Sequence, residues 1–595
     1  MIEVSERAAT QREWWRDALI AVALAVLMSG CWAISDWPSL SHLILPDTDD
    51  VMRLVQVRDW LAGQATNDWT QYRAAPPLGA PMHWSRVNDV GIAALILLSR
   101  TVASPHAAEI AAVIAYPAIL FAAHLWLVGA IARRVWGNEA SVVAMLLGAL
   151  AYPGVTSFAP GRIDHHALQI VLIEGAILAT TMRPSLRSGC AIGGTIALSL
   201  VIGLEALLHG AALIAVSALC WIVRGDADER DRLAGVAGGL AATTLPFVLL
   251  LRPTLWSRAL CDAFTPASSS AAFAGAAVLA VLACATRLLP GWRARATAAA
   301  VLGALLTLTI ALAFPVCLTG PYGQVDPLLQ REFIAHVGEA IGLFAQPDPV
   351  QWLQWGGLMA VAVVVVGWTA RRAPARWRRW LPVSSVVVVA GALTLAQVRG
   401  AYLGTPIAAV VLAGLVLAAR RRGGAALIAA WLACTGSAWQ LLAIAVQPAV
   451  ATVNPSYARA TAAGDASVSE TCNTPATWRA INAYPAGLAM VAMNLAPYLL
   501  EQTRFATVAA GYHRNNAGNA AMYHFFLSPP AIAGRIARRW HVDYVMFCPG
   551  DFDEVDALRR FPDSIAAALS RGQAPWGFRR LPVPGSRLRL YRITA

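Results

Sequence analysis

The chain has 595 residues, 57% of them hydrophobic and 13% charged, with a mean hydropathy of +0.55. That apolar balance over this length excludes a water-soluble globular fold and requires lipid as solvent. The net charge of +12 is carried by arginine alone, since none of the 46 basic residues is Lys; because these arginines crowd the short loops between apolar runs, they read as topology signals and not as a nucleic-acid surface.

The first apolar run, Ala18 to Ile34, follows Arg12 and Arg16 and has no small-residue cleavage site before Asp36, so it reads as a retained span. Arginine clusters at Arg133-Arg134, Arg183 to Arg187, Arg224 to Arg232, Arg287 to Arg295, Arg371 to Arg379 and Arg420 to Arg422 each mark a cytoplasmic loop. Between them the pairs 138–156 with 165–182, 189–205 with 207–223, 233–251 with 271–286, 297–316 with 352–370, and 382–398 with 402–419 leave the membrane and return. With 17–35, 107–132 and 424–446 added, the length rule gives about 13 transmembrane helices. The N-terminus is then cytoplasmic and the C-terminus periplasmic, in a bacterial inner membrane. Val90 to Val102 is too short to cross and fits an interfacial or re-entrant helix.

The outer face receives a first loop over 36–106, a turn at Arg162 to His166, a loop over 317–351, and everything after 447. The predicted organisation is a membrane domain over 1–446 and a small periplasmic α/β domain over 447–595. In the tail, Val542 to Phe547 and Leu588 to Ile593 are strand-like, and 475–483 and 529–540 helix-like. Cys472 and Cys548 are able to pair if this region is outside the cytoplasm. No internal repeat is present.

Two outer-face motifs carry chemistry. Pro46-Asp47-Thr48-Asp49-Asp50 precedes a stretch of helical periodicity. Three carboxylates within four positions repel one another unless a cation compensates them, yet Asp49 or Asp50 is equally suited to capping the helix, and the motif alone leaves both readings open. Gly161-Arg162-Ile163-Asp164-His165-His166 stands at the outer end of a span, where ionisable residues are costly. A carboxylate and an imidazole two apart reach one divalent ion from a loop, which tilts the balance toward a metal site.

Together these motifs resemble the GT-C class of membrane glycosyltransferases, and within it the catalytic subunits of oligosaccharyltransferases, the STT3/PglB/AglB family. The resemblance spans about 1–446 and implies 13 spans with a periplasmic C-terminal domain. It implies a first-loop metal aspartate at Asp49 or Asp50, with Asp47 the lesser candidate, and a second metal motif at Asp164 and His166. It also implies a fifth-loop Glu at Glu339 in His336-Val337-Gly338-Glu339, with Glu332 the weaker choice, and a donor-phosphate arginine at Arg399 in Gln397-Val398-Arg399-Gly400. The family's Trp-Trp-Asp-Tyr-Gly motif, which reads glycosylation sequons, has no counterpart; Gly511-Tyr512-His513-Arg514 offers His513 and Arg514 as glycan or acceptor contacts. Tyr72-Arg73 and His83-Trp84-Ser85-Arg86 are sugar-facing or interfacial.

The implied reaction transfers a sugar or oligosaccharide from a polyprenyl-(pyro)phosphate donor to a glycan, lipid or protein acceptor. A divalent cation (Mg2+ or Mn2+) on Asp49, Asp50, Asp164, His166 and Glu339 would neutralise the leaving phosphate, Arg399 would clamp it, and Asp50 would orient or deprotonate the acceptor. The alternatives are a monosaccharide transferase of the ArnT or protein-mannosyltransferase type, which does not need Asp164-His165-His166, and a transporter. The transporter reading asks for charged residues or Gly/Pro-broken helices at mid-membrane depth, for which Glu174, Glu205 and His209 are the candidates, though they form no paired pattern.

Overall fold

The computed structural model describes every residue except Met1, 251–255, 257–259, Pro321, Pro347, 454–471, Trp576 and Ala595, and no side chain of residues 2–12, 451 and 453. Among the described residues nine helices are long and apolar enough to cross a bilayer, from Glu13–Ser35 to Gly400–Arg420, and the helices Gly424–Cys434 and Gly436–Val450 pass the same test only as a pair, bent by 79°, as a broken span or a re-entrant loop does. Three further helices lie where spans are predicted but are shorter: Ala140–Ala149, His166–Thr181 and Leu186–Ile202. The predicted 138–156 span stops at Ala149 because the chain turns there into a 3-10 segment, Gly154–Phe158, held by the Thr405 hydroxyl on Gly154 N–H at 3.0 Å. Val87–Ser99 is a helix of 13 residues, as its length predicts.

Gly400–Arg420 is the axis of the bundle, with 78% of its apolar window buried, whereas none of the Trp292–Ala313 window is, so that helix faces lipid. In hydrocarbon there is no hydrophobic drive between helices, and close backbone approach supplies the attraction instead. Leu186–Ile202 and Ala227–Leu250 meet this way through Gly189, Gly193, Gly235 and Gly239. A Cβ on Gly189 would stand 2.1 Å from the Arg232 carbonyl oxygen and one on Gly193 2.2 Å from that of Val236. The break between Gly424–Cys434 and Gly436–Val453 has a similar cause: Gly436 lies against the Tyr152 backbone, where a Cβ would meet N and O at 2.4 Å.

Charges inside the bundle are paired. His124 Nδ1 lies 2.7 Å from Glu174, both fully buried, with Phe121 and Phe158 stacked on the imidazole. Arg133 pairs with Asp17, which also accepts the Ser141 hydroxyl at 2.6 Å.

The first outer loop holds an antiparallel pair, β1 (Thr70–Gln71) and β2 (Ala80–Pro81), and the C-terminal domain carries a five-stranded sheet in the order β4-β3-β5-β7-β6, where β3 is Leu488–Met490, β4 Ala506–Thr507, β5 Tyr544–Phe547, β6 Phe578–Leu581 and β7 Arg589–Ile593. β3 pairs in parallel with β4 and β5; β7 runs antiparallel to β5 and β6. β5 and β7 are the two strands expected from sequence, and Pro475–Ile481 and Pro530–Trp540 the two helices. Part of the expected tail, 454–471, lies outside the described residues. Cys472 is bridged to Cys548, and a second bridge, Cys261–Cys317, had no sequence signal.

The domain docks on the first outer loop rather than hanging free. Arg73 donates to the carbonyls of Leu500 at 2.7 Å and Thr503 at 2.9 Å, while the Ala75 and Thr507 N–H groups donate to Thr507 and Arg73 carbonyls at 2.7 and 2.8 Å. Arg58 ties the two together by pairing with Glu501 at 2.8 Å and Glu109 at 2.7 Å.

Candidate active site

Helix Thr48–Leu61 begins at Asp47, whose carboxylate accepts the Asp49 N–H at 3.0 Å and so caps the free amides of the first turn. The cap fixes the rotation of the helix and sends the next two carboxylates to opposite destinations. Asp50 turns inward and is fully buried; its Oδ1 accepts the backbone N–H groups of Ile163 and Asp164 at 2.7 and 2.8 Å, and its Oδ2 lies 3.2 Å from Arg162. Asp49 faces a cavity of about 970 Å³. Burial first, then the charges of Asp47, Asp164 and Glu339, hold the Asp49 carboxyl well above the ordinary carboxylate range.

Arg162 stands at the centre of this corner, 2.8 Å from Asp47, 3.2 Å from Asp50 and 3.1 Å from Asp164. Asp164 in turn accepts the His166 N–H and lies 3.0 Å from its Nδ1. Burial alone would raise the Asp164 carboxyl, but the charges of His166 and Arg162 outweigh it and leave the group well below its usual range. The Ile163 and Asp164 amides are committed to Asp50 and that of Arg162 to the Ala159 carbonyl, and helix His166–Thr181 starts at His166 with its ring at the cavity wall. Beside it His165 Nε2 lies 3.1 Å from Glu205, which also accepts the Gln169 amide at 3.1 Å.

The far wall comes from the 317–351 loop and the start of helix Gly400–Arg420. Arg399 donates to Glu339 Oε1 at 3.3 Å, and its backbone N–H donates to the Glu339 carbonyl at 3.1 Å, so loop and helix end are fixed as a unit. Arg399 Nε is buried without a hydrogen-bond partner. Tyr322 and Tyr402 line the same space, and the C-terminal domain closes it with Met493, Asn494, Tyr512 and Asp551.

Of the residues singled out from sequence, Asp49, His166, Glu339 and Arg399 share this cavity, with Asp164 directly behind His166. Asp50 does not line it. Glu332 also lines it but is paired with Arg560 at 2.8 Å. His513 lies on the wall with Nε2 2.6 Å from Asp262, and Arg514 pairs with the same carboxylate. Sequence reading missed His165, Tyr322, Asp262 and the role of Glu205, and it left His83 open between a sugar-facing and an interfacial residue. His83 lines the cavity, buried, with its imidazole pushed down to about 3 by burial. The adjacent His165-His166 pair was the one available signal for His165; Asp262 has none, being isolated in its loop.

A divalent cation suits the donor set at Asp49. Asp47, Asp49, Asp50, Asp164, Glu205 and Glu339 surround this end of the cavity, and Arg162 and Arg399 do not balance them. The set is nevertheless open: no three of the expected ligands offer donor atoms all within 4.8 Å of one another, and among the described residues His83, Asp262 and His513 alone do.

No protein-family model and no curated protein matches the sequence. Solved structures do. The archaeal oligosaccharyltransferase AglB from Archaeoglobus fulgidus, in complex with an inhibitory peptide and a dolichol-phosphate, superposes with a TM-score of 0.65 at 14% identity, covering 98% of this chain and 74% of that one. The Archaeoglobus fulgidus oligosaccharyltransferase in complex with Zn and sulfate gives 0.60 at 14% identity over 97% and 73%, and the form tethered to an acceptor peptide with the NVT sequon gives 0.57 at 14% over 98% and 74%. The chain is thus a polytopic membrane protein with a C-terminal domain, in the fold of the AglB oligosaccharyltransferase.

Proposed function

We propose that the chain is a membrane glycosyltransferase of the oligosaccharyltransferase type, transferring a sugar or oligosaccharide from a polyprenyl-(pyro)phosphate donor to a glycan, lipid or protein acceptor. The supporting observation is the convergence of Asp49, His166, Glu339 and Arg399, from four separate stretches of chain, on one cavity between the spans and the C-terminal domain. The AglB structures that share the fold hold a dolichol-phosphate in one case and an acceptor peptide in another, which fits a lipid-linked donor and an acceptor meeting in that space. On the arginine topology this face is periplasmic, in a bacterial inner membrane.

Asp49, Asp164, His166 and Glu339 would hold a divalent cation, which when bound neutralises charge on the phosphate leaving group. The protein's own groups do the rest. Arg399, with Nε unpartnered, donates to the donor phosphate by charge-assisted hydrogen bonds. Asp49, facing the cavity, accepts from the acceptor's nucleophile and orients it. Asp50, the residue expected from sequence to do this, is better supported as the anchor that holds 162–165 in place. The monosaccharide-transferase alternative gains no observation of its own. The transporter alternative is weakened because the mid-membrane pair His124 and Glu174 is sealed between aromatic rings, away from the cavity, while Glu205 and His209 belong to the cavity wall.

The test uses purified protein in lipid nanodiscs with polyprenyl-linked sugar donors and Mg2+ or Mn2+, alongside glycan profiles of a deletion strain. Asp164→Ala is expected to abolish transfer while the protein stays in the membrane. Full transfer by that variant would remove the metal-site assignment, and unchanged glycans with a lost solute flux would favour transport.

A further inference from the structure

Among the described residues, one constellation of metal-ligating side chains is drawn close together, and it lines the same cavity as Asp49 with a separate set of residues. His83 comes from the first outer loop, Asp262 from the segment before helix Pro266–Cys284, and His513 from the C-terminal domain. Each offers a ligand atom, and the three atoms lie within 4.8 Å of one another. The imidazoles of His83 and His513 are 5.2 Å apart, centroid to centroid, and tilted by 58°, so neither ring blocks the other.

Two features separate this cluster from an ordinary ion pair. His83 is 7% exposed, and its Nδ1 is buried with no hydrogen-bond partner among the described residues, an uncompensated desolvation. Asp262 is held from behind by Arg514, which leaves its other oxygen directed at His513 Nε2, 2.6 Å away. A carboxylate fixed by a second-layer partner with one oxygen turned inward is the arrangement that orients metal ligands.

We propose that His83, Asp262 and His513 form a second metal site, selective for a zinc-like ion, distinct from the candidate cation site at Asp49. Two imidazoles and one carboxylate make a borderline donor set that suits Zn2+ better than the harder Mg2+. Ligand bonds of about 2.0 to 2.2 Å in a tetrahedron hold donor atoms roughly 3.3 Å apart. The Asp262 to His513 contact therefore opens slightly and the wider contacts close. Binding breaks the hydrogen bond between them, and any proton carried by a ligating nitrogen leaves to solvent. Three protein ligands leave the fourth position for water or for an anionic group in the cavity that all three residues line. The ion joins three segments remote in sequence across the cavity mouth. None of this depends on the proposed transfer reaction.

The experiment counts zinc on full-length detergent-solubilised protein, stripped with chelator and dialysed against Zn2+. In an Asp49→Ala/His166→Ala background, which removes the other candidate site, one equivalent is expected to remain. Adding Asp262→Asn or His513→Gln should weaken it by roughly 10-fold to 100-fold or more. Co2+ at the site should show the intense visible bands of a tetrahedral ion, lost in His83→Gln. Should one variant misfold by size-exclusion and thermal unfolding, the other two give the same reading. Zinc binding unchanged by all three substitutions, or no equivalent left in the background protein, would overturn the assignment.

Discussion

Asp50 Oδ1 accepts the backbone N–H of Asp164 at 2.8 Å, so the first acidic motif sets the conformation of the second. Removing it leaves the Ile163 and Asp164 amides and one contact of Arg162 uncompensated in a buried corner. Asp50→Ala should destabilise the folded protein by about 3 to 5 kcal/mol, whereas Asp49→Ala should leave stability unchanged or slightly raised, because Asp49 is repelled by Asp47, Asp164 and Glu339. Both should lose transfer. Thermal unfolding beside transfer assays separates the two roles, and equal stability losses would contradict the division.

Arg399 is predicted to bind the donor. Arg399→Lys keeps the charge but loses the planar fork, so the KM for the lipid-linked donor should rise about tenfold or more, with a smaller change in kcat. Glu339→Gln should show a different pattern: weaker dependence on added cation with the donor KM less affected. Initial rates over a donor series and a cation series check both.

Glu501 supplies a pH dependence. Burial, only partly offset by Arg58, pushes its carboxyl up from 4.5 to about 7. A carboxyl raised in the folded state binds its proton more tightly there than in the unfolded chain. Its contribution is therefore favourable below pH 4.5 and is lost as pH rises through about 7. The loss amounts to at most about 3 kcal/mol at 1.36 kcal/mol per unit. Glu501→Gln should flatten the fall in unfolding temperature between pH 5 and pH 8; an identical slope in both proteins would rule the assignment out.

Gly193→Leu should abolish stable insertion or expression, since its side chain would enter the Val236 carbonyl 2.2 Å from the Cβ position, while Gly303→Leu, with open space around it, should be tolerated. Yields of folded protein in detergent decide this.

The apolar spans and two of the domain's strands were readable from hydropathy and period-2 runs, because lipid imposes its pattern on every residue of a span. Asp49, Asp164 and His166 stood out through motif spacing and Glu339 and Arg399 through the family resemblance, and of these Asp49, His166, Glu339 and Arg399 line one cavity. Three things were not legible. The opposite facing of Asp49 and Asp50 depends on the Asp47 cap, a matter of dihedral angles. The Gly189 and Gly193 contact with Gly235 and Gly239 involves residues too small to leave a hydropathy signal. His83, Asp262 and His513 are single residues brought together only by docking of the C-terminal domain on the outer loops.

The Cys261–Cys317 bridge brackets the helices Pro266–Cys284 and Trp292–Ala313, joining the chain just before the first to the chain just after the second. The second helix of that hairpin, Trp292–Ala313, has the least buried window of the nine long spans among the described residues, 0%. Joined by the turn over 285–291 at one end and clamped by the disulfide at the other, the pair is held from splaying at both ends. Any widening of the cavity beside it must come from the hairpin tilting as one rigid lever, and Asp262, the residue next to the clamp, would travel with it.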